Sequence, residues 1–132
     1  MLSFPNAKIN LGLHVLRKRE DGFHDIETLI HPIRMHDSLE MIPSDGEIIL
    51  KQYGPALPVG ENIVMKAYKL LKKDFNIPAV DIHLLKHIPS GAGLGGGSSD
   101  AAHSLVMLND LFNLDISPAE LEILAAELGS DC

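Results

Sequence analysis

Apolar and polar positions alternate over much of the first half of the chain, which predicts β-strands. From Ile9 to Val15 every second residue is apolar, and the residues between them are polar or glycine. A period of two is typical of a strand with one buried face. Pro32 is expected at a sheet edge or a bulge, because proline cannot donate a ladder hydrogen bond. With turn-forming residues at 20–22 and 43–46, the pattern predicts strands over residues 6–16, 25–35, 38–42, 47–51 and 80–87.

Helical periodicity begins after residue 62 and predicts three helices. Asn62 is placed to cap the first of them, and Ser98 or Ser99 the second. Ser117 and Glu120 have the spacing of a capping box for the third. The order of strands, helix, strand, helix and helix indicates a single α+β domain over residues 1–132. The apolar positions of the helices are Ile63, Ala67, Leu70 and Leu71; Ala101, Leu105, Leu108 and Phe112; and Leu121, Leu124, Ala125 and Leu128.

A glycine-rich loop separates the last predicted strand from the second helix. Glycine permits positive φ and lets the backbone approach a ligand closely. Successive N–H groups and the positive end of the following helix can then hold a phosphate. The two serines at the helix start supply hydroxyl groups for that phosphate or for an accompanying Mg²⁺. The loop consists of Pro89, Ser90, Gly91, Ala92, Gly93, Leu94, Gly95, Gly96, Gly97, Ser98 and Ser99.

The loop fits other nucleotide-binding patterns less well. A Walker A motif is excluded, because it requires a Gly-Lys-Ser/Thr sequence and no lysine follows Lys86. A dinucleotide fingerprint is formally present at residues 91–96 with Asp115 downstream, but no strand pattern supports it. A merely flexible glycine loop is the structural alternative, and the well-formed flanking elements argue against it.

Composition and charge narrow the class of protein. The chain has 45% hydrophobic and 22% charged residues, which is the balance of a globular domain. Its net charge of −7 argues against a nucleic-acid partner and is neutral about nucleotides. With one cysteine, Cys132, no internal disulfide can form, and neither a signal peptide nor a membrane segment is evident. A cytoplasmic protein is therefore expected, and its oligomeric state is left open.

Four segments together resemble the GHMP kinases, the family of galactokinase, homoserine kinase, mevalonate kinase and phosphomevalonate kinase. They follow the family's order along the chain. The resemblance implies the N-terminal domain of that family, related in fold to the second domain of ribosomal protein S5, with ATP and Mg²⁺ as cofactors. The segments are PNAKINL at 5–11, REDGFH at 19–24, the glycine loop through SSDAA to residue 102, and GSD at 129–131.

The resemblance also implies roles for individual residues. Asp131 is the base that accepts the hydroxyl proton, and Lys8 is its electrostatic partner. Asn10 is a polar contact near the substrate. Lys86 and Asn62 match positions near the adenosine, and the loop holds the phosphates. Asp100, after the serines, is a candidate for assisting Mg²⁺ or for favouring the helix dipole.

All four segments are similar to one branch of the family in particular, and Phe23 and His24 match the pair that binds a cytosine in that branch. That branch phosphorylates a hydroxyl of a cytidine-diphosphate-linked methylerythritol in non-mevalonate isoprenoid synthesis. Phe23 stands where tyrosine is common, which keeps ring stacking and removes a phenolic hydrogen bond. Two alternatives remain: a family member with another small alcohol substrate, and a nucleotide- or RNA-binding module without enzymatic activity.

Members of the family are about twice as long as this chain and carry a C-terminal domain. The resemblance therefore implies a truncated N-terminal portion with little activity alone.

Overall fold

The computed structural model describes residues 1–55, 60–129 and 132. Strands and helices follow the predicted order, so the α+β prediction is confirmed. The strands are β1 Leu2–Ser3, β2 Asn6–Lys18, β3 His24–His36, β4 Ser38–Ser44, β5 Ile49–Tyr53 and β6 Ala79–Leu85. The helices are α1 Ile63–Asp74, α2 Gly96–Phe112 and α3 Pro118–Leu128.

Four strands form a mixed sheet in the order β1-β4-β6-β5. β4 runs antiparallel to β6, with Met41 opposite Ile82, whereas β5 runs parallel to β6, with Leu50 opposite Ile82. The strands on either side of the predicted turn at 43–46 are therefore not neighbours, because β6 lies between them. The placement of β6 between β4 and β5 cannot be inferred from closeness in sequence. It makes β6 an interior strand of the sheet.

Helices cover one face of this sheet and form the core with it. Along β4 and β6 alternate side chains are buried, as a period of two requires. α1 and α2 pack against each other over this face, and the Tyr68 hydroxyl donates to the carbonyl of Pro78 at 3.1 Å. The largest fully buried apolar side chains are Tyr68, Leu39, Met41, Leu71, Ile82, Leu84, Ile88, Leu105, Leu108, Val64 and Val80.

The β2–β3 hairpin forms a separate two-stranded sheet. Both strands are longer than predicted, and the expectation that β2 buries one face is wrong for its second half. Leu13 is 56% exposed and Val15 62% exposed, because the described part of the chain provides no layer over this end of the ribbon. The alternation is also interrupted by a register shift between Leu11 and Leu13, with Gly12 at a φ of +70° between them. Pro32 lies on β3, an edge strand as expected.

Two of the three predicted helix caps are confirmed. The side chain of Asn62 accepts the N–H of Val64 at 2.9 Å, and Ser117 and Glu120 form the capping box of α3. The prediction that Ser98 or Ser99 caps α2 is wrong, because the cap is Gly95 in a left-handed conformation. Both serines therefore lie inside the helix, in its first turn.

Candidate functional site

The glycine-rich loop connects β6 to α2 and forms one wall of a cleft of about 770 Å³. Three of its glycines, Gly91, Gly93 and Gly95, have φ values between +69° and +74°. L-residues rarely adopt this region, so the repeated glycines are what allow the chain to bend here. Every residue from 89 to 98 lines the cleft, and Ser99 does not. The opposite wall comes from β5 and from the start of α1.

Two glycines of this loop are also required by close packing. A Cβ atom on Gly96 would come within 2.7 Å of the Ile88 side chain. A Cβ atom on Gly95 would lie 3.1 Å from carbons of the Lys8 side chain. Glycine at these positions therefore allows α2 to begin directly against Ile88, which follows β6, and against the start of β2.

The N-terminal end of α2 faces the cleft and is suited to binding an anion. Its first intrahelical bond runs from the N–H of Ser99 to the carbonyl of Gly95, at 2.9 Å. The N–H groups that precede Ser99 in the first turn have no acceptor within the helix, and the helix dipole is positive at this end. Ser98, which lines the cleft, adds a hydroxyl to these donors. This arrangement is suited to holding phosphate oxygens.

Lys8 is held directly against the loop. Its backbone N–H donates to the carbonyl of Leu94 at 2.9 Å, and its aliphatic stem packs beside Gly95. Its ammonium group donates to Oδ1 of Asn10 at 2.7 Å, which confirms that the two side chains share one face of β2. The structure thus brings a half-buried cation to the edge of the phosphate-binding loop.

A buried ionic cluster lies beneath the loop. The Lys86 ammonium, 3% exposed, donates to Asp37 and to Asp100, the second at 2.7 Å. Burial disfavours the ammonium, but hydrogen bonds and attraction from both carboxylates outweigh that effect and raise the pKa of Lys86. Burial raises the pKa of Asp100 to about 7, with the neighbouring Asp37 adding to the rise and Lys86 opposing it. One oxygen of Asp100, Oδ1, is buried without a hydrogen-bond partner.

Asp37 joins this cluster to the loop. Its Oδ1 accepts the backbone N–H groups of His87 and Ile88, at 2.6 and 2.9 Å, immediately before the loop begins. Its own backbone N–H donates to Pro5 at the start of the hairpin. Sequence reasoning missed this residue, because a single aspartate between two strands carries no local signal.

The two residues predicted to lie near the adenosine, Asn62 and Lys86, both line the cleft. Asn62 lines the cleft, and its side chain is engaged as the cap of α1 and as a donor to Gln52 at 3.4 Å. Lys86 also lines the cleft, but its ammonium is directed to the buried carboxylates. If Lys86 contacts a nucleotide, the contact would therefore be made by its backbone or its aliphatic stem and not by its ammonium group.

The predicted substrate residues Phe23 and His24 lie at the far end of the hairpin from Lys8. The N–H of Phe23 donates to Asp21 at 3.1 Å, which shapes the turn, and the ring is 58% exposed. No hydrogen bond within the described residues joins either of them to the loop. The predicted base, Asp131, lies outside the described residues.

Comparison with known proteins identifies the family. A family model described as "GHMP kinases N terminal domain" matches residues 62–132, which include the cleft's glycine loop. The chain belongs to the GHMP kinases. The family assignment and the N-terminal domain fold predicted from the four segments are thereby confirmed.

Individual relatives of this GHMP kinase chain share a single name. The chain is 53% identical over 137 residues to 4-diphosphocytidyl-2-C-methyl-D-erythritol kinase of Bacteroides thetaiotaomicron, covering 100% of itself and 50% of that protein. It is 54% identical over 133 residues to the protein of that name from Azobacteroides pseudotrichonymphae, with the same coverage. A crystal structure of 4-(cytidine 5'-diphospho)-2C-methyl-D-erythritol kinase superposes with a TM-score of 0.80 at 41% identity, covering 99% of this chain and 47% of that one. The chain thus spans about half the length of the relatives it matches.

The described residues also bear on two other classes of site. They include no helix long and apolar enough to cross a membrane. Within the same ranges, no group of three or more histidine, cysteine, aspartate or glutamate side chains is arranged to hold a metal ion.

Proposed function

We propose that this chain is the ATP-binding half of a kinase that phosphorylates a hydroxyl of 4-diphosphocytidyl-2-C-methyl-D-erythritol. The observation that carries the proposal is the attachment of Lys8 to the glycine loop, which puts a cation beside a phosphate-binding cleft. The shared name of relatives more than 50% identical supports the choice of substrate. In this proposal residues 1–132 form the N-terminal domain, and a C-terminal domain, as in the longer relatives, completes the substrate site.

The glycine loop would hold the ATP phosphates. The N–H groups at the start of α2 and the Ser98 hydroxyl donate into the cleft, where charge accumulates as the γ-phosphate is transferred. Asn62 and Lys86 line the same cleft and would lie near the adenosine. Because ATP is a cytoplasmic metabolite, the proposed reaction belongs in the cytoplasm.

Lys8 and Asp131 would act on the acceptor hydroxyl. Asp131 takes the hydroxyl proton, and the Lys8 ammonium favours its ionised form and stabilises the attacking oxygen. Asn10 holds the ammonium through its 2.7 Å hydrogen bond. Phe23 would stack on the cytosine and His24 would hydrogen-bond to its edge.

Magnesium would enter this site bound to ATP. Mg²⁺ is usually held by substrate phosphates, several waters and one or two protein groups. The hydroxyl of Ser98 on the cleft wall fits that mode of binding. Bound in this way, Mg²⁺ would supply positive charge that offsets the charge of the phosphates.

The direct test is transfer of the γ-phosphate by the full-length protein to the cytidine-diphosphate-linked substrate. We expect turnover that Asp131→Asn and Lys8→Met each abolish, with CMP and CDP acting as competitors of the substrate. Turnover of another alcohol without any effect of cytidine nucleotides would instead identify a GHMP kinase of different specificity. Binding of nucleotide without transfer to any alcohol would contradict the kinase proposal.

A further inference from the structure

A chain of hydrogen bonds crosses the β2–β3 hairpin and ends at Lys8. The Lys8 ammonium donates to Oδ1 of Asn10 at 2.7 Å. The Asn10 amide nitrogen donates to the hydroxyl of Thr28 at 3.1 Å, and that hydroxyl donates to the carbonyl of Gly12 at 2.6 Å. Asn10 and Thr28 are both half-buried on facing strands.

The direction of these bonds is fixed by donor and acceptor chemistry. An ammonium group can only donate, so Asn10 must present its oxygen to Lys8 and its nitrogen to Thr28. A hydroxyl has one proton, and Thr28 uses it on the Gly12 carbonyl. Its lone pairs are thereby left to accept from Asn10, which opposes rotation of the amide.

The carbonyl at the end of this chain is positioned by a bulge. Residues 11 and 13 of β2 are out of step with β3, and Gly12 between them has a φ of +70°. Thr28 pairs with Leu13, so its hydroxyl reaches back across the bulge to Gly12. An L-residue with a side chain would be strained at that φ, which explains glycine at this point of the strand.

We infer that Thr28 is a positioning residue for phosphoryl transfer, because it holds the Asn10 amide in the one orientation that presents an acceptor to Lys8. The inference rests on the proposed function, in which the Lys8 ammonium acts on the acceptor hydroxyl. Thr28 itself does not line the cleft. Without its hydroxyl, the Asn10 amide can turn its N–H groups toward Lys8, and two donors then face each other.

The test compares kcat and the KM for ATP in the full-length protein, with the cytidine-diphosphate-linked methylerythritol as acceptor. Thr28→Val, which keeps the shape and removes the hydroxyl, should lower kcat about tenfold, the equivalent of one hydrogen bond. The KM for ATP should stay within about twofold, because the loop is unaltered. Thr28→Ser should restore most of the activity, and Asn10→Ala combined with Thr28→Val should be no slower than Asn10→Ala alone.

A matched control is Ser44→Ala, which removes the hydroxyl of another half-buried strand residue, on β4, and should leave kcat unchanged. Unaltered kcat in Thr28→Val, or equally low kcat in Thr28→Ser, would overturn the inference. Thr28→Ala serves as a second loss variant should the valine form unfold at a lower temperature. Loss of turnover in Lys8→Met with full turnover in Thr28→Val would refute the role of Thr28 and leave the proposed role of Lys8 intact. Full turnover in Lys8→Met would refute the proposed role of Lys8 and the inference with it.

Discussion

Replacing Lys86 with methionine tests the buried cluster beneath the loop. The substitution keeps a long apolar stem and removes the ammonium that bridges Asp37 and Asp100. Asp37 retains two backbone N–H donors, from His87 and Ile88. Asp100 loses the donor to its Oδ2, and its Oδ1 already has none. Removing one partner of a buried ion pair costs about 3–5 kcal/mol.

The size of this loss should depend on pH, because Asp100 can escape burial of its charge by taking a proton. Its pKa is already raised to about 7 beside Lys86, and loss of that cation raises it further. Protonating Asp100 therefore costs less free energy at pH 6 than at pH 8. We therefore expect the free energy of unfolding to fall by at least about 3 kcal/mol at pH 8, and by less at pH 6.

The assay is urea unfolding followed by circular dichroism at both pH values. Lys69→Met is the matched control, because Lys69 is also ion-paired, to Glu61, but its side chain is 60% exposed. Exposed pairs contribute little, so the control should unfold close to the wild type. A Lys86→Met variant that is no less stable than Lys69→Met would refute the interpretation of the cluster as a buried ionic support of the loop.

Three further outcomes are expected. Because the pKa of Asp100 is higher in the folded protein than in the unfolded chain, its contribution to stability is greatest below about pH 4 and is lost as pH rises through 7. Wild type should therefore lose stability relative to Asp100→Asn between pH 5 and pH 8, and parallel curves in pH-dependent urea unfolding would contradict this. Gly95→Ala should impair ATP binding, measured by calorimetry, more than Gly93→Ala, since both have positive φ but only the first Cβ meets Lys8; equal losses would argue against that contact. The 132-residue chain alone should give kcat at least about a hundredfold below that of the full-length protein, because stabilising groups missing from an active site cost factors of this order, and comparable turnover in the same coupled assay would refute the need for a second domain.

Local signals in the sequence predicted most of the fold. The caps at Asn62 and Ser117, the helix periods and the glycine loop all depend on residues within a few positions of one another. The start of α2 was predicted too late, because the backbone of Gly95 accepts the first helical bond and no side-chain cap is needed. The pairing of β6 between β4 and β5 has no such local signal.

The candidate site also contains features that local sequence predicts and features that it does not. The loop and the shared face of Lys8 and Asn10 could be predicted, since each follows from strand or loop geometry over a few residues. The contact between Lys86 and Asp37 joins positions 49 residues apart. Lys86 stands out by its place before the glycine loop, but Asp37 has no distinctive neighbourhood in the sequence. Such a pair becomes recognisable only when β4 and β6 are known to be adjacent.

The loop's position is determined by segments that are distant in sequence and converge on its two ends. Lys8 of β2 binds the Leu94 carbonyl, two residues before α2 begins, and Asp37 after β3 binds the N–H groups of His87 and Ile88, immediately before the loop. Both anchors lie at the base of one hairpin, where the N–H of Asp37 also donates to the carbonyl of Pro5. A displacement of the hairpin base would therefore move both ends of the phosphate-binding loop together. The same hairpin carries Thr28 and Asn10, so the element that orients the Lys8 ammonium is also the element that fixes the loop beside it.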